Sequence, residues 1–255
     1  MSSLLQEILN AGGINVFYQP IFEVVEGKPS LFAIEALSRG PAGTNAARAD
    51  VLFEYVRRKG KEVEVDRACV QAILSSTYIV ARQASLTINV HASTVERDDL
   101  FTQYLVEVCH YFRVPLSNLI LEIVEQQKYS DERRFFRNLD LIRSAGVRIA
   151  LDDVGLGYSN YRMLIEIRPE FYKIDRYFIT HCKERDNARA AIQSILLLAD
   201  RLRGRVIAEG IESADDLDTV TALGIQLVQG FHLAEPRPVT SLIEFNHCRA
   251  PGSRV

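Results

Sequence analysis

The chain has 255 residues, 47% of them apolar and 25% charged, and a formal net charge of −3, which excludes a broadly basic nucleic-acid- or membrane-binding surface. Cys69, Cys109, Cys182 and Cys248 show no Cys-x-x-Cys or zinc spacing. No signal-peptide pattern opens the chain and no apolar run approaches the ~20 residues that span a bilayer, so a reduced, cytoplasmic protein is expected. In chain order, an amphipathic opening helix stops at Gly12-Gly13, and Ile14 to Gln19 then reads as a strand ending at Pro20. A turn around Gly27-Lys28-Pro29 leads into a second strand, Leu31 to Leu37, and so short a connection predicts an antiparallel hairpin. Residues 39–50 read as a loop. A helical pattern from Val51, broken near Gly60, resumes from Val65 to Ser76.

From Leu86 the order becomes regular. Strands are predicted at 86–90, 119–123, 147–152, 170–174, 205–208 and 225–229, with helices at about 98–112, 131–145, 158–167, 186–203 and 213–223. The alternation predicts a parallel α/β architecture. With this length and strand count, a TIM-like (β/α)8 barrel is favoured over an open sheet, and the absence of a G-x-G-x-x-G after the first strand argues against a dinucleotide fold. One domain is expected over 1–255, its core at about 14–246, with a frayed tail from His247.

The stretch from Ile149 to Asn160 holds the centre of interest. A short apolar strand stops at Asp152-Asp153 and is followed by Gly155 and Gly157. Neighbouring strand residues face opposite ways, so both carboxylates can serve one ligand only if the chain turns there. Two close carboxylates are costly to bury without a cation. Taken alone, such a stretch also describes a turn whose aspartates cap backbone N–H groups. The other strands tip the balance, because each carries a polar residue in an apolar run: Glu35, Asn89, Glu122, Asp152 and Asp153, Lys173, Glu209 and Gln229. Carboxylates and an amide oxygen, without histidine or cysteine, suit Mg2+ or Mn2+ better than zinc. A pair of such ions would orient a water for in-line phosphoryl displacement. Lys173 would stand beside that water, or equally form an ion pair with Glu209 or Asp153.

The motifs now converge on a family. Glu35-Ala36-Leu37-Ser38-Arg39, Tyr18-Gln19-Pro20-Ile21, Leu121-Glu122-Ile123-Val124-Glu125, Asp152-Asp153-Val154-Gly155, Lys173-Ile174-Asp175, Ala208-Glu209-Gly210 and Gln229-Gly230-Phe231 together resemble the EAL domain family of cyclic di-GMP phosphodiesterases, from about Phe17 to Pro236. The resemblance implies a barrel with an antiparallel first strand, two Mg2+ or Mn2+ ions with inhibition by Ca2+, hydrolysis of cyclic di-GMP to linear pGpG, and a homodimer. It implies metal ligands at Glu35, Asn89, Glu122, Asp152, Asp153 and Glu209, and catalytic roles for Lys173, Glu209 and Gln229. Gln19, Glu35, Leu37, Arg39 and Asp66 are the implied substrate contacts. Glu125, three residues past Glu122, is expected to steady the loop from Val154 to Asn160.

Val154, Leu156, Asn160 and His91 depart from the family's usual residues, and His91 reads as a packing or hydrogen-bonding substitution. None of these changes touches a proposed ligand. The alternative function is a receptor that binds cyclic di-GMP without hydrolysing it. An unrelated acid-and-lysine barrel would explain the strand ends but not the Gln19 and Arg39 motifs. Neither a nucleic-acid polymer nor a membrane is an expected partner.

Overall fold

The structure, a computed structural model, describes residues 3–77, 84–124, 130–156 and 161–242. Eight strands close a barrel in sequence order: β1 (Asn15–Val25), β2 (Lys28–Arg39), β3 (Ser85–His91), β4 (Leu119–Val124), β5 (Arg148–Val154), β6 (Phe171–Ile174), β7 (Arg205–Ala208) and β8 (Leu227–Val228). β1 is antiparallel to both neighbours, β2 and β8, and every other adjacent pair is parallel. The helices that cover the barrel or cap its ends are α1 (Leu4–Leu9), α2 (Ala49–Lys59), α3 (Glu62–Thr77), α4 (Ala92–Arg97), α5 (Phe101–Phe112), α6 (Glu132–Ser144), α7 (Tyr161–Ile167), α8 (Arg176–Ile179), α9 (Asp186–Arg201), α10 (Ala214–Ala222) and α11 (Val239–Leu242). No helix among the described residues is long and apolar enough to cross a membrane. Cys69, Cys109 and Cys182 are buried free thiols, and Cys248 lies outside the described residues.

The two-residue period of the strands sorts their side chains into two compartments. On β4, Leu119, Leu121 and Ile123 face the helices, while Ile120 joins Ile21, Ala33, Ala150, Phe171, Ile207 and Leu227 in a separate apolar layer inside the barrel. Two residues further along each parallel strand, on the same inward face, come Glu35, Glu122, Asp152, Lys173, Glu209 and Gln229. β1 runs the other way, so its inward polar residue, Gln19, precedes Ile21 and pairs in register with Glu35. The apolar layer seals the interior and the polar ring sits above it, at the C-terminal mouth where such barrels carry their chemistry. At the opposite end, Arg148 lies over Phe171 and Arg205 over Phe32, while Phe32 and Phe171 meet edge to face.

Several elements differ from their sequence-based expectation. β1 does not end at Pro20 but runs to Val25. The N–H groups of Tyr18 and Val24 on its outer edge go to the carbonyls of Arg237 and Gln226. Pro20 shares that edge, so its missing donor costs the β1–β2 ladder nothing. The hairpin turn is Glu26-Gly27, both in the left-handed region at φ 51° and 73°, the geometry a two-residue hairpin requires. The single helix expected at about 98–112 is preceded by a separate α4, which starts directly from β3. The short α8 after β6 was not anticipated.

β5 does not turn off at the aspartates as expected. It continues to Val154 through a register shift against β6 between Leu151 and Val154, with Asp153 itself at φ 51°. The local bulge, rather than a loop, re-aims the pair. Gly155 follows at φ 94°, where an added Cβ would lie 2.9 Å from the Phe178 ring. Glu125, Gly157 and Asn160 lie outside the described residues, so the expected contact between Glu125 and the following loop does too.

Candidate active site

Lys173 sits at the centre of the polar ring and is 1% exposed. Its Nζ lies 2.5 Å from Glu122 Oε1, 2.7 Å from Glu209 Oε1, 3.3 Å from Glu35 Oε2 and 4.0 Å from Asp152 Oδ1. These acids come from β2, β4, β5 and the residue after β7, so barrel closure alone assembles them. The ion pair of Lys173 with Glu209 expected from the sequence is present; among the described residues Asp153 is not within ion-pair distance of Lys173, and Glu122 is closest.

Glu35 is fixed from two further sides. Asn89 Nδ2 donates to its Oε1 at 3.1 Å and Gln229 Nε2 to its Oε2 at 2.6 Å. Gln229 Nε2 also reaches Gln19 Oε1 at 3.0 Å, and Gln19 Nε2 donates to the Ala234 carbonyl at 2.9 Å. This chain of amides ties β8, β1 and β2 together where the antiparallel strand closes the barrel.

The charges are unevenly compensated. Burial would push Glu35 up, but Lys173 and the amides of Gln229 and Asn89 outweigh it and hold the carboxyl below its ordinary range. Burial, reinforced by Glu35, pushes Glu122 well above its ordinary value despite Lys173. Burial also raises Asp152, pushes Asp153 up to about 6 with help from Asp152 and Asp175, and pushes Glu209 up to about 8. Burial would lower Lys173, yet Glu122, Glu209 and Glu35 more than reverse it, so the ammonium is retained well above neutrality.

Glu35, Glu122, Asp152 and Glu209 thus share one internal cation, with Asp153 next to Asp152, and Glu122 Oε2 is buried without a hydrogen-bond partner among the described residues. An all-oxygen, negatively charged set of this kind fits a hard divalent ion. No three of these carboxylates close around a separate point among the described residues, because Glu35, Glu122 and Glu209 converge on the ammonium of Lys173. A metal ion and Lys173 would compete for the same oxygens.

Two cavities flank the ring and share Glu35 and Leu37. One, of about 450 Å³, runs from Glu35, Asn89 and Asp152 to Arg39, Arg57 and His91. The other, of about 260 Å³, lies between Gln19, Gln229, Glu209, Arg176 and the exposed ring of Phe231. Gln19, Leu37 and Arg39, expected as substrate contacts, therefore line open space. Asp66 does not. It is 1% exposed, and accepts hydrogen bonds from the His91 backbone N–H at 2.9 Å, from His91 Nδ1 at 2.8 Å and from Thr94 Oγ1 at 2.5 Å. Its place at the cavity wall is taken by His91, whose ring meets Phe53 edge on. Phe53 and Arg57 also line this cavity, and the sequence reading passed over both as ordinary helix positions. Nothing in their local pattern could have flagged them, since only the fold lays α2 beside the end of β2.

Comparison with known proteins supplies the family. The model named "EAL domain" matches residues 2–236. The chain is 26% identical over 251 residues to a probable cyclic di-GMP phosphodiesterase of Escherichia coli, PdeG, covering 94% of this chain and 48% of that protein. It spans about half or less of the first curated relatives it matches. A standalone versatile EAL protein from Vibrio cholerae O395, solved in its c-di-GMP-bound form, superposes with a TM-score of 0.78 at 22% identity, covering 89% of this chain and 93% of that one. BlrP1 of Klebsiella pneumoniae, solved as calcium and manganese complexes with cyclic di-GMP, gives the same TM-score of 0.78 at 22% identity, over 88% of this chain and 56% of that one. These superpositions establish the shared barrel fold. With the family model matched over nearly the whole length, the chain belongs to the EAL domain family.

Proposed function

We propose that this protein is a metal-dependent phosphodiesterase that hydrolyses cyclic di-GMP to linear pGpG and so removes a cytoplasmic second messenger. One observation carries the reading: a lysine-centred carboxylate cluster at the barrel mouth, flanked by two cavities that meet at Glu35 and Leu37. A cyclic dinucleotide has the matching form, two bases held apart by a phosphodiester ring. The activity that the relatives' names record, and the cyclic di-GMP in the related structures, support the same substrate.

Glu35, Asn89, Glu122, Asp152, Asp153 and Glu209 are the residues that would hold two Mg2+ or Mn2+ ions. When bound, such ions supply Lewis acidity for in-line displacement at phosphorus. The chain's own residues do the rest. Lys173 keeps its proton at neutral pH, so it acts as a fixed positive charge and hydrogen-bond donor toward developing negative charge, and not as a base. Gln229 and Asn89 hold the Glu35 carboxylate in one orientation. Glu209 accepts a hydrogen bond from the Lys173 ammonium at 2.7 Å and so helps to fix where that charge stands. Arg39 and Leu37 bound the groove in which the sugar–phosphate ring would lie. Glu125 is proposed to steady the loop after Asp153, and a homodimer is the proposed assembly.

The test is incubation of purified protein with cyclic di-GMP and Mg2+ or Mn2+, with chromatography for pGpG. Product in Mg2+ and none in Ca2+ is expected. Binding of cyclic di-GMP without any pGpG in Mg2+ or Mn2+ would make the protein a receptor instead.

A further inference from the structure

The far end of the larger cavity has an unusual balance of hydrogen-bonding groups. Three carboxylates stand at or behind it, and all are already engaged. Asp66 accepts from His91 and Thr94. Asp50 is held by Arg48 through both oxygens, at 3.1 and 2.7 Å. Glu54 accepts from Arg57 Nη2 at 2.6 Å and from Arg58 Nε at 2.7 Å. A fourth carboxylate, Glu62, is 7% exposed and like Asp66 and Glu54 does not line the cavity; its Oε1 accepts from Ser93 Oγ at 3.5 Å and its Oε2 is buried without a partner among the described residues.

The charged side chain left to meet a ligand here, away from the acid cluster, is Arg57, with Arg39 nearer the mouth. One terminal nitrogen of Arg57 is anchored by Glu54. Its Nε and Nη1 make no hydrogen bond within the described residues, although the side chain is only 17% exposed, and Nη2 keeps a second N–H that forms a fork with either of them. They are not buried out of reach either. A guanidinium held in this way presents donors at an end of the cavity where the one lining carboxylate away from the acid cluster, Asp50, is already paired with Arg48. Phe53 on the same helix and Val90 and Val124 at the strand ends supply the apolar surface on which a flat ring packs.

Purine edges differ in the respect this wall can sense. Guanine offers two acceptors side by side, O6 and N7, which an arginine fork can meet together; adenine offers N7 beside the N6 amino donor. Against the arginine fork, adenine loses one bond and sets donor against donor. Resting on the phosphodiesterase reading above, we propose that Arg57, steered by Glu54, is the residue that reads the guanine edge in this cavity and gives the site its preference for guanine over adenine.

The experiment compares wild type, Arg57→Met and Glu54→Gln, with Mn2+, on cyclic di-GMP and on its all-adenine analogue, cyclic di-AMP. Methionine keeps the packing of the arginine stem and removes every donor. Arg57→Met is expected to lower the guanine-over-adenine ratio of kcat/KM by about tenfold or more, the discrimination of one bidentate pair, through a raised KM for cyclic di-GMP. Glu54→Gln, which loosens the fork without removing it, should shift the ratio the same way by less. A thermal melt close to wild type excludes misfolding as the cause. If wild type hydrolyses cyclic di-GMP and the ratio is the same in Arg57→Met, the assignment of Arg57 is wrong and the phosphodiesterase reading stands. If wild type neither binds nor hydrolyses either dinucleotide, that reading fails and takes the inference with it.

Discussion

Asp66 grips His91 twice, accepting its backbone N–H at 2.9 Å and its Nδ1 at 2.8 Å. A carboxylate only accepts, so the Nδ1 carries hydrogen and the ring is fixed in one orientation against Phe53. Burial would lower the imidazole pKa, and the Asp66 charge and hydrogen bond more than offset this and raise it. The pair joins α3 to the end of β3 and the start of α4, directly behind the cavity wall.

Replacing Asp66 should therefore act first on stability. Asp66→Ala leaves the His91 and Thr94 donors without their buried acceptor, and a loss of about 3 kcal/mol is expected from bonds to a charged group. Urea unfolding checks this: the midpoint should fall with an unchanged slope. A loss under about 1 kcal/mol would mean that the surrounding groups re-pair at little cost.

Removing the central cation should separate metal binding from turnover. Lys173→Met deletes the ammonium that Glu122, Glu209 and Glu35 share, so Mn2+ should bind more tightly because its competitor is gone. Turnover should nevertheless fall by roughly 10²-fold or more, the scale of a positioned proton donor or fixed charge at the reacting group. Mn2+ titration by calorimetry and the rate at saturating metal provide the two readings. An unchanged rate would leave Lys173 as a structural counterion alone.

Metal dependence is the third expectation. Chelation should abolish turnover, Mg2+ or Mn2+ should restore it, and Ca2+ should not, because its longer and looser coordination misplaces the reacting groups. Glu35→Ala should abolish turnover in every metal, since it removes both an implied ligand and the acceptor for Asn89 and Gln229. Turnover in Ca2+ alone at the Mg2+ rate would sink the proposed site.

The site's acids also set a pH dependence with a definite sign. Asp153 at about 6 and Glu209 at about 8 lie above their ordinary values, so the folded state binds more protons than the unfolded one from about pH 4 upward. Where the folded state holds the extra protons, stability falls as pH rises, and these two groups should destabilise the metal-free protein progressively between about pH 4 and pH 8. Bound Mn2+ replaces the protons and should reverse the trend over that interval. Melting temperatures with chelator and with Mn2+ at matched pH test it. Parallel curves in the two conditions would show that these carboxylates do not hold the metal.

Much of the site was legible because it rests on local periodicity. A polar residue two positions beyond an inward apolar one, on strand after strand, fixes a ring at one end of a barrel whichever chain carries it. Glu35, Glu122, Lys173, Glu209 and Gln229 could each be placed that way, and the short connection expected around Gly27-Lys28-Pro29 marked the antiparallel hairpin, although Lys28 and Pro29 already belong to β2 and the turn itself is Glu26-Gly27. The donor chemistry of the ring followed from residue type alone.

What the sequence by itself determined was thus which side chains face the barrel mouth and which donor atoms they carry; the tertiary structure alone decided how they meet. Pro20 could stay inside β1 only because the adjoining edge asks nothing of its nitrogen. The aspartate pair is aimed by a bulge against β6, a partner that no local pattern names. Asp66 was drawn away from the cavity by His91, and Arg57 was brought to it by α2, because both depend on how helices settle on the closed barrel. Periodicity is written in neighbouring residues, whereas such placements come from packing between segments far apart in the chain, where burial and hydrogen-bond satisfaction select one arrangement.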